Sequence, residues 1–239
     1  MLSRKYVLCL ILSMILCILS SCRSEQITMI VPAGSPQLAQ IYMQDNDAYD
    51  VTIVEGADPL VAAFGSRAYD VIVAPTNLGA KLYDAKPDYQ LIATITWGSY
   101  YLISQSDIDE METIEVIAFG RNQIPDAILQ FSLEGFNRDY QVSYLDSMSA
   151  VVSAYTLDSS KVYLISEPAL SLLDSIEKIE SIIDLQSFYK ELTGHDNFPQ
   201  ASVFINHEIS DSKVKKIKND FKNSIDKLNT EKEASAILA

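Results

Sequence analysis

The sequence has 239 residues, of which 48% are hydrophobic and 21% charged, and its 32 acidic residues outnumber its 18 basic ones. This composition excludes collagen-like, low-complexity and wholly disordered chains. The formal net charge of −14 argues against a nucleic-acid-binding surface, because phosphate recognition depends on clustered Lys and Arg. The length predicts one large domain or two small ones.

The start of the chain has the features of a targeting segment. Arg4 and Lys5 precede an apolar run from Tyr6 to Leu19. A permanent membrane-spanning helix needs roughly 20 apolar residues, so this shorter run, followed at once by polar residues, predicts a secretory signal. Its end, Leu19-Ser20-Ser21-Cys22, resembles a bacterial lipobox, in which the Cys is lipidated and becomes the new N-terminus.

We therefore expect residues 1–21 to be a lipoprotein signal peptide and residues 22–26 a tether. Acyl chains such as palmitate on Cys22 would hold the rest of the chain outside the cell, at the membrane. The alternative is a plain signal peptide with an incidental cysteine. Cys9, Cys17 and Cys22 are the only cysteines, so the exported part has no intramolecular disulfide and no Cys-based metal site.

Beyond the tether, short β-branched runs alternate with amphipathic helical stretches. The first series has predicted strands at 27–31, 51–54, 70–74 and 91–96. Ser35 and Asp58 are each followed by Pro, which predicts that both are helix N-caps. Nearly continuous apolar strands separated by helices imply a mostly parallel sheet that is covered on both faces.

A second series of strands and helices begins after an extended, aromatic-rich stretch at Trp97–Ser104, and Gln200–Asn206 is another extended run. We interpret these two stretches as crossings between two α/β lobes. The first lobe comprises residues 27–97, with residues 207–239 returning to it, and the second comprises residues 98–206. From Ser210 the chain is a Lys-rich amphipathic helix, which we expect to pack on the first lobe.

The loops that follow the strands form the candidate ligand site, because ligands of open α/β sheets bind beyond the carboxyl ends of the strands. Arg121 is the candidate to pair with a carboxylate or sulfonate. Trp97 is placed to stack on a planar ligand, and Glu167 is a candidate partner for a cationic one. The full set of predicted ligand-binding residues is Ser35, Thr76, Asn77, Trp97, Gly98, Arg121, Asn122 and Glu167.

Each of these residues also has a purely structural interpretation. Ser35 suits a helix N-cap, and Thr76 and Asn77 suit a tight turn. A lone Trp is commonly a core residue, and an Arg on a loop is commonly solvated. The residue types alone do not choose between the two interpretations.

Four features resemble the solute-binding lipoproteins of ABC importers, in particular the nitrate/sulfonate/taurine-like branch with the type II periplasmic-binding fold. They are Leu19-Ser20-Ser21-Cys22, the strand and loop at 31–35, the segment 68–76, and the crossing at Trp97-Gly98. The chain departs from that family in being short, and it stops inside an apolar stretch at 234–239, as a fragment of a longer protein would.

The resemblance implies two mostly parallel sheets flanked by helices and joined by two extended crossings. It implies an extracytoplasmic monomer that captures a small organic solute, such as a sulfonate, nitrate or a thiamin precursor, between the lobes. The partners would be an ABC permease and its ATPase. The alternative is a surface or sensory lipoprotein on the same scaffold without a transport role.

Nothing in the sequence predicts catalysis. His195 and His207 are the only histidines, and they lack the spacing of a zinc site. The sequence has neither a nucleophile elbow nor a phosphate-binding glycine loop. We therefore expect no catalytic residues, no metal and no cofactor. A thiamin-pyrimidine-synthase-like enzyme is the remaining catalytic alternative, and its cysteine-rich motif is missing from this chain.

Overall fold

The computed structural model describes residues 26–44, 46–85, 87–136, 138–158, 160–174 and 179–230. The predicted signal peptide, Cys22 and the apolar stretch at 234–239 lie outside this part of the chain. Within it, every helix is too short or too polar to cross a membrane.

The elements alternate between strands and helices, as the sequence pattern predicts. The strands are β1 (Ile27–Pro32), β2 (Tyr49–Val54), β3 (Val71–Pro75), β4 (Tyr89–Trp97), β5 (Tyr100–Ser104), β6 (Thr113–Phe119), β7 (Asp139–Leu145), β8 (Val162–Ser166), β9 (Ser181–Asp184) and β10 (Pro199–Asn206). The helices are α1 (Ser35–Ala39), α2 (Asp58–Ser66), α3 (Thr76–Tyr83), α4 (Ile124–Gly135), α5 (Met148–Leu157), α6 (Ala169–Asp174), α7 (Leu185–Thr193) and α8 (Asp211–Thr230).

These strands form two five-stranded sheets with the same arrangement. The first has the order β2-β1-β3-β10-β4 and the second the order β7-β6-β8-β5-β9. In each sheet the first three strands are parallel, and the fourth is antiparallel to both of its neighbours. The antiparallel strands are β5 and β10, which adjoin the two crossings. The expected pair of α/β lobes is confirmed, and the crossings account for the antiparallel pairs.

Helices cover both faces of each sheet. Successive strand residues point to opposite faces, so a nearly continuous apolar strand has apolar side chains to bury on both. In the first lobe, Phe64 of α2 packs with Ile72 and Phe204 on one face. Ile217 and Phe221 of α8 pack on the other face. The returning amphipathic helix therefore lies on the first lobe, as its apolar spacing predicts. In the second lobe, α4 and α7 cover one face and α5 and α6 the other.

The return crossing differs from its predicted position. We expected Gln200–Asn206 to belong to the second lobe, but β10 is hydrogen-bonded between β3 and β4 in the first sheet. The chain passes between the lobes earlier, in the segment that separates α7 from β10. An extended run looks the same in sequence whether it crosses between sheets or lies inside one.

The two crossings run side by side and contact each other directly. The backbone N–H of Gly98 donates to the carbonyl oxygen of Phe198 at 3.0 Å. The hydroxyl of Ser99 donates to Oε1 of Gln200 at 3.1 Å. A Cβ on Gly98 would lie 2.6 Å from the Phe198 ring, so the close approach of the two segments requires a glycine here.

Candidate functional site

A cavity of about 140 Å³ lies between the two lobes, at the carboxyl ends of their parallel strands. From the first lobe it is lined by the segments that follow β1 and β2 and by Pro75 at the end of β3. From the second lobe it is lined by Phe119 and Gly120 after β6, by Asp146 and Ser147 after β7, and by Ser166 of β8. The position agrees with the general rule for ligand sites in open α/β sheets.

The lobes touch each other at the rim of this cavity. The Ser35 hydroxyl, at the start of α1, donates a hydrogen bond to the backbone carbonyl oxygen of Glu167 in the other lobe. A Cβ built on Gly56, which follows β2, would lie 3.9 Å from the backbone oxygen of Asp146, which follows β7. The structure therefore shows the lobes closed on each other.

Aromatic rings and prolines form much of the cavity wall. The rings of Tyr100 and Phe119 meet edge to face with their centroids 6.1 Å apart. Tyr100 is only 3% exposed, and burial raises the pKa of its hydroxyl above the ordinary range, partly offset by a hydrogen bond with Gln200. Tyr100 therefore lines the site as a neutral phenol. The prolines that line it are Pro32, Pro36, Pro75 and Pro125.

The polar side chains that line the interior of the cavity are uncharged, and the charged ones lie at its solvent-exposed rim. The uncharged lining side chains are Ser35, Gln123, Ser147, Ser166 and Gln200. Two acids, Glu55 and Asp146, also line the cavity, and both are exposed. Among the described residues that line it there is no Lys or Arg.

A second, wider cavity of about 560 Å³ adjoins the first one and shares several of its residues. Its one basic lining side chain in the described part of the chain is Arg121, whose guanidinium carbon lies 5.4 Å from the centre of the Tyr144 ring. Three acids line it as well, namely Glu55, Asp58 and Asp146. This outer cavity therefore has an excess of negative charge.

The longer helices that begin near the cavity have an acceptor of their own in the first turn. In α4, the Asp126 carboxylate accepts the backbone N–H of Asn122 at 2.7 Å and the Tyr144 hydroxyl at 2.5 Å. In α5, the Ser147 hydroxyl accepts the backbone N–H of Ala150 at 3.2 Å. In α2 the first-turn acid is Asp58. Each of these groups complements the partial positive charge of its helix N-terminus.

Of the eight predicted ligand-binding residues, Ser35 lines the inner cavity and Arg121 lines the outer one. The predicted capping roles were wrong, since Gly34 and Ala57 are the N-cap residues and Ser35 bonds to the other lobe instead. Asp58 is the first residue of α2 and makes no side-chain cap bond there. By contrast, the Ser147 side chain does cap α5.

The other six predicted residues do not line either cavity. Thr76 and Asn77 open α3, where the Thr76 hydroxyl lies 2.8 Å from that of Ser202. Asn122 has a positive φ of 61° in the turn before α4. Gly98 lies in the crossing, and Trp97 ends β4 with 51% of its surface exposed.

Glu167 has a structural role in the second lobe. Its carboxylate accepts the backbone N–H of Ser171 at 3.1 Å and the hydroxyl of the same residue at 2.9 Å. It therefore caps the short helix α6. A ligand contact by Glu167, as by the five preceding residues, stays a prediction.

Sequence reasoning did not identify the residues that form most of the wall. In the structure Tyr100 begins β5, Phe119 ends β6 and Gln200 is the second residue of β10, so position at a strand end would have been a usable signal. The residue types gave no signal, because aromatic residues at strand ends are commonly part of a core. No group of three His, Cys, Asp or Glu side chains in the described ranges is placed to hold a metal ion.

The sequence matches no family model and no curated protein. The structure, however, is similar to several solved ones. An ABC transporter from Parabacteroides distasonis has a TM-score of 0.72 and 21% identity, covering 87% of this chain and 76% of that chain. The periplasmic aliphatic sulphonate binding protein SsuA from Escherichia coli has a TM-score of 0.64 and 12% identity, covering 90% and 77%.

A third similar structure is the Candida albicans CA3427 gene product, which is described as exhibiting the generic periplasmic binding protein structural fold. It has a TM-score of 0.58 and 12% identity, covering 88% of this chain and 74% of that chain. At such identities a similarity shows the fold alone. The chain has the periplasmic binding protein fold, with two five-stranded sheets flanked by helices and a cavity between them.

Proposed function

We propose that this chain is the solute-binding component of an ABC importer, held outside the cell by lipid on Cys22. The observation that carries the proposal is the inter-lobe cavity, which is lined by residues of both lobes and lies where the lobes touch. Solved structures with this fold include a transporter protein and a sulphonate-binding protein, which supports the same conclusion.

The mechanism follows from the geometry of the crossings. In the described part of the chain two segments join the lobes. They lie together at Gly98 and Phe198, so the lobes can rotate about a hinge there. A solute that contacts both lobes binds the closed form more tightly than the open one, and it shifts the population toward closure. In the closed form the surfaces of the two lobes lie next to each other, and the permease binds both. No bond in the solute is made or broken.

Among the predicted ligand-binding residues, we propose direct roles for Ser35 and Arg121. Ser35 lies at the inner cavity and contributes both to its wall and to the contact between the lobes. Arg121 lies in the outer cavity, through which we expect a solute to enter. A roughly 140 Å³ site limits the solute to a small organic molecule or inorganic ion.

A thermal-shift screen tests the proposal. The protein is incubated with alkanesulfonates, nitrate, thiamin precursors, small amines and small uncharged ring compounds. A ligand that binds only the folded state adds about 2.7 kcal/mol at 100 times its Kd, so one class should raise Tm in proportion to the logarithm of its concentration. The absence of any shift at millimolar concentrations across the whole panel would contradict the proposal.

Two matched variants show whether a hit occupies the cleft. Gln123→Trp places a large ring in the cavity and should abolish the shift, since Gln123 lines it. Gln90→Trp places the same ring on an exposed position of β4 and should leave the shift intact. Uptake of the radiolabelled hit by cells, lost when this gene is deleted, then distinguishes import from a sensory role.

A further inference from the structure

We infer that the cleft selects an uncharged, planar solute with a single ring, and that it discriminates against anions such as sulfonates and nitrate. This inference rests on the proposed function, because it concerns the ligand of the same cavity. It is carried by five features of the cavity, namely its size, its wall, its lack of cations, the acids in the first turns of two neighbouring helices, and the acids at its rim.

The size of the cavity fits one ring. A protein cavity of about 150 Å³ accepts one benzene molecule, and the inner cavity measures about 140 Å³. Two fused rings, or a sugar with its hydration shell, need more space than this. The wider outer cavity is open to solvent at its exposed acids and gives a path of entry rather than a closely fitting site.

The aromatic part of the wall is held in place by contacts between rings. Tyr100 is nearly fully buried, stacks on Phe198 with the ring planes 19° apart, and meets Phe119 edge to face. Offset or edge-to-face contacts between such rings and a planar ligand are favourable beyond the area that they bury. The proline rings around the cavity add rigid apolar surface, which suits a planar molecule better than a flexible chain.

The inner cavity lacks the charge that an anion needs. Its described lining residues include no Lys or Arg, and Arg121 lies over the Tyr144 ring on the outer side. A charge that leaves water without a partner of opposite sign pays a large desolvation cost. A cation would meet its acidic partners only at the exposed rim. Hydroxyl and amide groups such as those of Ser166 and Gln123 instead suit the donors and acceptors of a neutral ring compound.

Backbone N–H groups at the helix N-termini do not replace the missing cation. The first turn of α4 contains the buried carboxylate of Asp126 and that of α2 contains Asp58, whereas the Ser147 hydroxyl caps α5. A negative charge brought to α4 or α2 would meet another negative charge of the chain itself. The exposed acids Glu55 and Asp146 add to this repulsion at the rim.

A series of benzene derivatives that differ only in charge tests the inference. Isothermal titration of the protein compares benzamide, benzamidine, benzoate and benzenesulfonate, with cyclohexanecarboxamide as the non-planar neutral control. We expect benzamide to bind at least tenfold more tightly than benzoate, benzenesulfonate and the cyclohexane compound. We expect benzamidine, which carries a positive charge, to bind more weakly than benzamide.

The outcomes separate this inference from the proposed function. If benzenesulfonate or an alkanesulfonate binds as tightly as benzamide, the inference is overturned and the proposed function stands. The same holds if a linear amine binds while no ring compound does. If nothing in this series or in the wider solute panel binds, the proposed function fails and the inference fails with it.

A charge variant tests the repulsion by a second route. Glu55→Gln combined with Asp146→Asn should strengthen benzenesulfonate binding at least threefold at low ionic strength, because the rim then lacks two negative charges. The matched control is Asp139→Asn, which removes an exposed acid at the opposite end of β7 and should leave sulfonate binding unchanged. An equal response of the two variants would overturn the rim's role in selecting the solute.

Discussion

Ser35 and Glu167 are 132 positions apart in the chain, and the hydroxyl of the first donates a hydrogen bond to the backbone carbonyl oxygen of the second. Ser35 opens α1 in the first lobe, whereas Glu167 follows β8 in the second. The bond therefore spans the cleft and exists only when the lobes are closed. Ser35 also lines the cavity, so the contact between the lobes and the cavity wall share this residue.

Ser35→Ala should weaken solute binding without destabilising either lobe. A hydrogen bond contributes about 0.5–1.5 kcal/mol net, so the loss corresponds to roughly a two- to tenfold rise in Kd. Isothermal titration with a ligand found by the screen measures it. Ser153→Ala, on the exposed side of α5, is the control and should leave Kd unchanged. A Kd for Ser35→Ala equal to that of the wild type would contradict the role of this bond.

Gly98→Ala should destabilise the protein through the contact between the crossings. The new Cβ would lie 2.6 Å from the Phe198 ring, and overpacking of this kind costs about 1–3 kcal/mol. We expect Tm to fall by about 2–4 °C for each kcal/mol, as measured by calorimetry.

Gly65→Ala is the matched control for the crossing, because a Cβ at Gly65 in α2 meets nothing within 4 Å. Its Tm should stay constant or rise slightly, since Ala restricts the unfolded chain more than Gly does. Equal stability of Gly98→Ala and wild type would show that the crossings are farther apart in solution than the structure has them.

Tyr100→Phe should change how stability depends on alkaline pH. Burial raises the pKa of the Tyr100 hydroxyl in the folded protein above its ordinary value of about 10 in the unfolded chain. The stabilisation from this difference is complete below pH of about 10 and is lost as pH rises beyond it, because the unfolded state releases the proton first.

Urea unfolding between pH 8 and about pH 11.5 measures this effect. The free energy of unfolding of Tyr100→Phe should fall less steeply with pH than that of the wild type, by up to about 1.4 kcal/mol per pH unit. At pH 8 the variant should be less stable by about 1 kcal/mol, because the hydrogen bond with Gln200 is lost. Tyr83→Phe, at an exposed position of α3, should keep the slope of the wild type.

Asp126→Ala should destabilise the second lobe. Asp126 is 9% exposed and accepts hydrogen bonds from the Asn122 backbone and the Tyr144 hydroxyl, so its removal leaves two donors without a partner. Such a loss costs about 1–3 kcal/mol. Urea unfolding measures this loss. The control is Asp139→Ala, at an exposed position of β7, whose free energy of unfolding should stay within about 0.5 kcal/mol of the wild type. A similar effect of both substitutions would contradict the structural role of Asp126.

The sequence pattern predicted the two lobes because that prediction depends on local periodicity. The apolar runs that become β1, β2 and β3 and the amphipathic spacing of α8 are local properties of the chain, and the structure has an element at each of them. The sheet in which β10 lies is not a local property. Its apolar residues are buried against β3 and β4, which lie more than 100 positions earlier in the chain.

The cavity was predicted at the level of the loops but not of the side chains. The loops after the parallel strands do form the cavity, since the carboxyl ends of those strands meet there. Ser35 was assigned to its own helix, and its hydroxyl instead bonds to a carbonyl of the other lobe. Glu167 was considered as a ligand contact, and its carboxylate bonds to Ser171. Which partner a short polar side chain takes depends on tertiary contacts that the sequence does not contain.

A crystal structure of the protein with the tightest ligand from the screen tests the account most directly. We predict ligand density in the inner cavity, in contact with Ser35 of the first lobe and Phe119 of the second, and with the Ser35–Glu167 bond intact. Density confined to one lobe, or on the outer surface away from these two residues, would contradict the claim that the lobes close over a solute.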